Sequence, residues 1–283
     1  TIYAPVWTDG QGTLLDTNDS GTNPSIVDAD VADGADVWSG QYGPAKQTSG
    51  QAWTQAQDTS IVTDGGPILP TPVVRADTYN GTSLPERVEA AIADLTDDGT
   101  VLIPSGTHSW DSTLTVDTSD RDIAIVSTPN TRIDVSASGW AIDATGDGTI
   151  GIYGGDWRGD TDQSGFLTAT ATNVNVGVKQ IKGWRDGIGV ETAPATKGSL
   201  RIFDTKFHRI GGEQNKPNVR VAGAGVSTLA LTTIEFSYCH VCIRLDAAVD
   251  DLEALRVSSH TYEAGSVFAD TNAPVTGTWF NVK

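Results

Sequence analysis

Four segments of this chain set an aromatic side chain near a basic or imidazole one, the first two with acidic residues as well: Gly155-Asp-Trp-Arg-Gly-Asp160, Gly183-Trp-Arg-Asp-Gly187, Phe207-His-Arg-Ile-Gly211 and Tyr238-Cys-His-Val-Cys242. Two kinds of chemistry suit such residues. Cleaving a glycosidic bond by hydrolysis uses two carboxylates, about 5–5.5 Å apart for retention and about 6.5–9.5 Å for inversion. Asp160 and Asp186 are the pair that the echo would bring to adjacent turns, with Asp156, Asp162, Glu191 and Glu213 also available. Cleavage by elimination needs a basic residue, for which Arg158, Arg185 and His208 are candidates. Binding without chemistry needs an aromatic face for C–H contacts and polar groups for hydroxyls. Trp157, Arg158, Trp184, Arg185 and His208 would supply these. Taken singly, each residue has an equal structural reading: a Trp that closes a corner, or a salt bridge that holds a turn. Carboxylate pairs also arise by chance in so acidic a chain.

Cys239 and Cys242, with His240 between them, form only half of a structural zinc site, even with His208 or His260 nearby. In a strand, positions 239 and 242 face opposite sides. The expectation is therefore two free thiols in an interior, not a metal site. Two cysteines do not build a disulfide framework. No cofactor is expected; calcium or magnesium on Asp clusters is the remaining option and has no sequence signature here.

The elements that must carry these residues are mostly short strands. Val101-Leu-Ile103, Leu114-Thr-Val116, Ile123-Ala-Ile-Val126, Ile150-Gly-Ile-Tyr153, Val174-Asn-Val-Gly-Val178 and Leu200-Arg-Ile-Phe203 are short, apolar-rich runs with turn residues between them. Leu229-Ala-Leu231, Thr232-Thr-Ile-Glu-Phe236, Leu252-Glu-Ala-Leu-Arg-Val257 and Thr278-Trp-Phe-Asn-Val282 continue the series. Ile152, Val178, Ile202, Ile234 and Leu255 recur at steps of 21 to 32 residues, which fits one solenoid coil each with variable loops. Seven or eight coils at the inter-strand spacing make a rod about 35–40 Å long. The interior should hold Val, Ile, Leu, Ala and the smaller aromatics. One helix precedes the strands. Ser83 and Glu86 have capping-box spacing, Pro85 suits the first turn, and Val88, Ala91, Ile92 and Leu95 form one apolar stripe. Such a helix can lie across the open end of a strand stack, an edge that otherwise invites pairing.

A helix running into Asp98-Gly-Thr-Val-Leu-Ile-Pro-Ser-Gly-Thr-His-Ser-Trp-Asp-Ser-Thr-Leu-Thr-Val116 resembles the entry to a right-handed parallel β-helix of the pectin-lyase-like kind. The resemblance covers residues 83–116 by sequence and about 200 residues by architecture. It implies a solenoid over 76–283, all-β apart from the capping helix 83–95, whose flanks hold carbohydrate. The polygalacturonase-type signatures Asn-Thr-Asp, Asp-Asp, Gly-His-Gly and Arg-Ile-Lys are not found where that resemblance would need them.

Residues 1–75 read as a loop-rich arm, with scattered Trp7, Trp38, Tyr42 and Trp53 and a proline-rich linker over 63–72. They suit attachment to a particle or to other subunits, with plain disorder as the competing reading. Net charge is −18, from 36 acidic and 18 basic residues in 283. That balance resembles proteins of high-salt organisms, where screening is nearly complete. It disfavours nucleic acid as a partner. No apolar run approaches the ~18 residues of a membrane span. The chain has no Met and no signal segment, so synthesis in the cytoplasm without export is expected.

An acidic, unexported β-helix with a docking arm resembles viral tail spikes and related virion surface proteins. The resemblance implies a homotrimer, contacts with other virion proteins through residues 1–75, and recognition of a host glycan or S-layer, here on a halophilic archaeon. The position could be a tail spike, a fibre, or a head turret or decoration. The alternative is a polysaccharide lyase or glycoside hydrolase acting on an acidic surface polysaccharide. A cell-surface adhesin is a third class, disfavoured by the missing export signal.

Overall fold

A computed structural model describes residues 70–280 apart from 71, 129, 212–215, 262–266 and 273–274. The expected arm over 1–75, its Trp7, Trp38, Tyr42 and Trp53, and Glu213 lie outside the described residues or, for 70 and 72–75, at their start.

Strands stack in parallel on three faces. The first face begins with Val73–Arg75, Gly99–Ile103, Asp122–Ser127, Thr149–Tyr153, Asn173–Gly177 and Gly198–Phe203. The second holds Gly106–Trp110, Thr131–Val135, Asp156–Arg158, Gln180–Lys182 and Lys206–His208. The third is a ladder of seven: Leu114–Asp117, Trp140–Thr145, Gly165–Ala169, Ile188–Thr192, Pro217–Val221, Val241–Leu245 and Val267–Thr271. Two long strands, Val226–Cys239 and Val249–Thr261, run from the first face onto the second without a break. They fuse those two faces into one 14-stranded sheet. The fold is a parallel β-helix of about seven turns, as the sequence predicts.

Alternation sets the inside. On the first face Ile150, Val174, Leu200, Leu229 and Leu252 align in one inward column, all buried. Each fully buried aliphatic side chain contributes about 1.5–3 kcal/mol. The sequence-based register is only partly right. Ile152 and Ile202 do share a column, but their partners are Val176, Leu231 and Ala254, not Val178, Ile234 and Leu255. Leu255 points outward and is 39% exposed. It belongs to an uncharged outer column with Leu102, Val126, Tyr153, Gly177, Phe203 and Thr232.

The interior also holds residues larger than expected. Trp110, Trp157 and Trp184 are fully buried. Trp110 and Trp157 meet edge-on at 5.0 Å, as do Trp157 and Phe166 at 5.0 Å, and Phe166 and Trp184 are tilted at 5.9 Å. The indole N–H of Trp110 donates to the carbonyl of Ala141 at 2.9 Å, which satisfies one polar group of this aromatic stack.

Corners use left-handed residues at matched heights. Gly154, Asp204, Thr233 and Arg256 follow the first face, with φ of 70°, 47°, 57° and 56°. Gly183, Arg209 and Tyr238 follow the second, with φ of 100°, 55° and 59°. A Thr in this conformation is uncommon, so the stack over-determines it.

The helix Leu84–Asp94 forms as expected. Glu86 accepts from the backbone N–H of Thr82 at 2.6 Å and of Ser83 at 3.3 Å. Val88, Ala91, Ile92 and Leu95 are buried in the same core as Val101, Ile103 and Trp110. The helix touches Gly99–Ile103, Gly106–Trp110 and Leu114–Asp117, one strand from each face, and so covers that end of the stack.

Candidate functional site

The second face presents two outward columns. One runs Thr107, Arg132, Asp156, Gln180, Lys206, Glu235; the other runs Ser109, Asp134, Arg158, Lys182, His208, Ser237. Adjacent rungs are about 4.8 Å apart, so these side chains form a continuous polar strip. Several cations on it are compensated. Arg158 pairs with Asp156 at 2.6 Å, Arg132 with Asp134 at 2.8 Å, and Lys206 with Glu235 at 2.6 Å.

Two cations are not. Lys182 and Arg209 pair with no carboxylate among the described residues. The Arg209 guanidinium lies 5.5 Å over the ring of Tyr238, and His208 meets the same ring edge-on at 5.3 Å. Tyr238 is 43% exposed, the most open large apolar side chain among the described residues. Its left-handed backbone throws the ring out of the coil at the corner. His208 is half-buried, and its Nδ1 is enclosed without a hydrogen-bond partner. Burial, then the charges of Lys182, Arg209 and Lys206, hold its pKa below the ordinary 6.5, against an opposing effect of Glu235. The imidazole is therefore neutral at pH 7.

The sequence-predicted site residues divide. Arg158 and His208 do stand on this strip, with Lys182 between them in register. Arg185 is exposed in the adjoining corner turn. Trp157 and Trp184 are interior, which leaves neither indole a face for a sugar. Their echo is out of register: Trp157 aligns with Ile181, Phe207 and Phe236, whereas Trp184 lies beyond the end of the strand that carries Ile181. The surface aromatic is Tyr238. Period-2 alternation from the buried Phe236 would place Tyr238 inward, and only its left-handed backbone turns the ring out, so the sequence pattern hides it.

Asp160 and Asp186 occupy successive corner turns. The Asp160 carboxylate is bent onto its own turn, accepting from the Thr161 backbone N–H at 2.7 Å and hydroxyl at 3.1 Å. Those bonds hold its pKa below the usual carboxylate range, which does not suit a general acid. One oxygen of Asp186 is buried without a partner. Asp156 is occupied by Arg158. Glu191 lies on the third face, where Arg220 donates to it at 2.8 Å and to Asp246 at 2.7 Å. Asp162 is exposed in the 159–164 turn.

Cys239 and Cys242 are not free thiols. Their sulfurs are bonded, and both residues are fully buried. The strand ends at Cys239, His240 turns the corner, and the next strand opens at Val241. The two side chains therefore converge inward instead of facing opposite sides. No group of three or more metal-ligating side chains occurs among the described residues. No helix of the described chain is long and apolar enough to cross a membrane.

No family model matches this sequence, and no curated protein matches it. Among solved structures, ORF18 of Geobacillus virus E2 aligns at 11% identity with a TM-score of 0.28, over 74% of this chain and 61% of that one. This chain thus spans about three fifths of that protein's length.

Proposed function

We propose that this protein is a virion surface protein of a haloarchaeal virus that attaches to a host glycan or S-layer without cleaving it. The binding site is the second face at the Lys182, His208, Arg209 and Tyr238 corner. The observation that carries this reading is Tyr238: an exposed ring beside uncompensated hydrogen-bond donors is what a sugar needs, one apolar face with polar groups around it. The virion assignment rests on the sequence resemblance over 83–116 and on the acidic composition. The assembly is a homotrimer, joined to other virion proteins through residues 1–75. The uncharged outer column from Leu102 to Leu255 is the described surface suited to packing against other copies.

The test is to incubate the protein, in molar salt, with surface polysaccharide from halophilic archaea and follow both retention and chain length. Retention at unchanged length, lost in Tyr238→Ala, is the expected result. Shortening that disappears in Asp160→Asn or Asp186→Asn would replace this reading with the depolymerase alternative.

A further inference from the structure

The His208 corner carries more than a generic sugar contact. Lys182 on the preceding rung and Arg209 next in sequence are positive charges with no carboxylate partner among the described residues, in a chain of net charge −18. Like charges gathered without a counter-ion are unfavourable unless something neutralises them part of the time. His208 sits among them. It faces Lys182 on one rung, Lys206 on its own strand, Arg209 at the corner, and Ser237, Glu235 and Tyr238 on the next rung. Its enclosed Nδ1 lacks a partner, so the ring has no acceptor of its own to hold a second proton.

Resting on the reading that this face binds glycan, we infer that the corner takes an anionic sugar unit, carboxylate or sulfate, and that binding draws a proton onto His208. The bound acid cancels the charges of Lys182 and Arg209 that oppose the imidazolium and adds an attraction of its own. Linkage then requires the converse: a protonated His208 holds the anion more tightly. In the free protein the ring is kept neutral by burial and by the same cations. The coupling therefore appears as pH falls through the pKa of the bound ring and saturates below the lowered pKa of the free ring, with at most about a tenfold gain in affinity per pH unit.

The experiment is titration calorimetry of the full chain at pH 5.5, 6.5 and 7.5 and fixed ionic strength. The probes are oligogalacturonate, sulfated dextran and neutral dextran. Expected are binding of at least one acid in preference to neutral dextran, affinity rising toward pH 5.5, and proton uptake seen as a buffer-dependent heat. The two acid arms separate carboxylate from sulfate as the preferred group. Lys182→Gln and Arg209→Gln should weaken binding at every pH, and His208→Gln should make the remaining affinity independent of pH. Should that variant not fold, the His208 ring resonance is followed by NMR in the unmodified protein: its pKa must rise on adding the acid. An unmoved pKa, or affinity that does not change with pH, overturns the inference. If neutral dextran binds as well as the acids and Tyr238→Ala abolishes it, the glycan-binding face stands and this inference falls. Binding of none of these probes, together with no retention of host polysaccharide, removes the reading of the face itself.

Discussion

A β-carbon on Gly159 would lie 2.2 Å from the indole of Trp184. The corner backbone and the buried ring are thus in direct contact, one turn apart. Gly159→Ala must push the indole or the corner aside, a change expected to cost about 1–3 kcal/mol. Denaturant unfolding with tryptophan fluorescence measures it; an unchanged midpoint would show that the corner yields freely.

Trp157 is packed between Trp110 and Phe166, each 5.0 Å away. Trp157→Ala should cost about 3–5 kcal/mol, and Trp157→Phe markedly less. Where Trp157→Phe folds, its glycan affinity should equal that of the parent. A selective loss of binding in a fully folded Trp157→Phe would return this residue to the site.

His208 makes stability depend on pH in a defined direction. Its folded pKa is lowered, first by burial and then by Lys182, Arg209 and Lys206. Below about 6.5 the unfolded chain binds a proton that the folded chain resists, so stability falls as pH falls through this window and is fully recovered above it. His208→Gln should flatten that part of the profile. Thermal melts at pH 5 and 7.5, compared between parent and variant, read the difference. An identical pH dependence in both would remove His208 as its source.

Net charge of −18 opposes compaction in dilute buffer. Raising the salt from about 0.1 M to 1 M shortens the screening length from about 10 Å to about 3 Å. The melting temperature should rise over that range in potassium chloride. A flat or falling trend would contradict a high-salt setting.

The bond between Cys239 and Cys242 closes a very short loop. Loop-closure entropy for four residues is worth about 2 kcal/mol. Reduction, or the double Cys→Ala change, should lower the melting temperature by several degrees and leave the β-sheet circular dichroism intact. Complete unfolding on reduction would mean that the bond holds the fold itself.

Much of the architecture is legible from local chemistry. The capped helix follows from Ser83, Pro85 and Glu86, and the apolar strands from β-branched alternation. What escapes a single sequence is register. The strands Asp156–Arg158, Gln180–Lys182 and Lys206–His208 are three residues each, with one inward side chain apiece, too short for a period to emerge. The Trp157 and Trp184 echo misleads because similar segments need not stand at the same height in successive coils. Aligned through Lys182 and His208, the surface aromatic becomes Tyr238, whose exposure depends on a backbone angle that no composition reveals. Cys239 and Cys242 mislead similarly: spacing rules for a continuous strand fail when His240 turns a corner between them.

The coils are unequal. From Ile150 to Val174, Leu200, Leu229 and Leu252 the inward column advances by 24, 26, 29 and 23 residues, yet the ladder stays in step. Most of the length difference is absorbed in the turns, and one residue, Ser227, in a register shift where Val226–Cys239 pairs with Gly198–Phe203. Selection can therefore lengthen or shorten the loops beside the second face, one coil at a time, without renegotiating the scaffold. A lineage carrying this chain could vary its surface by trading turns while inheriting the ladder unchanged.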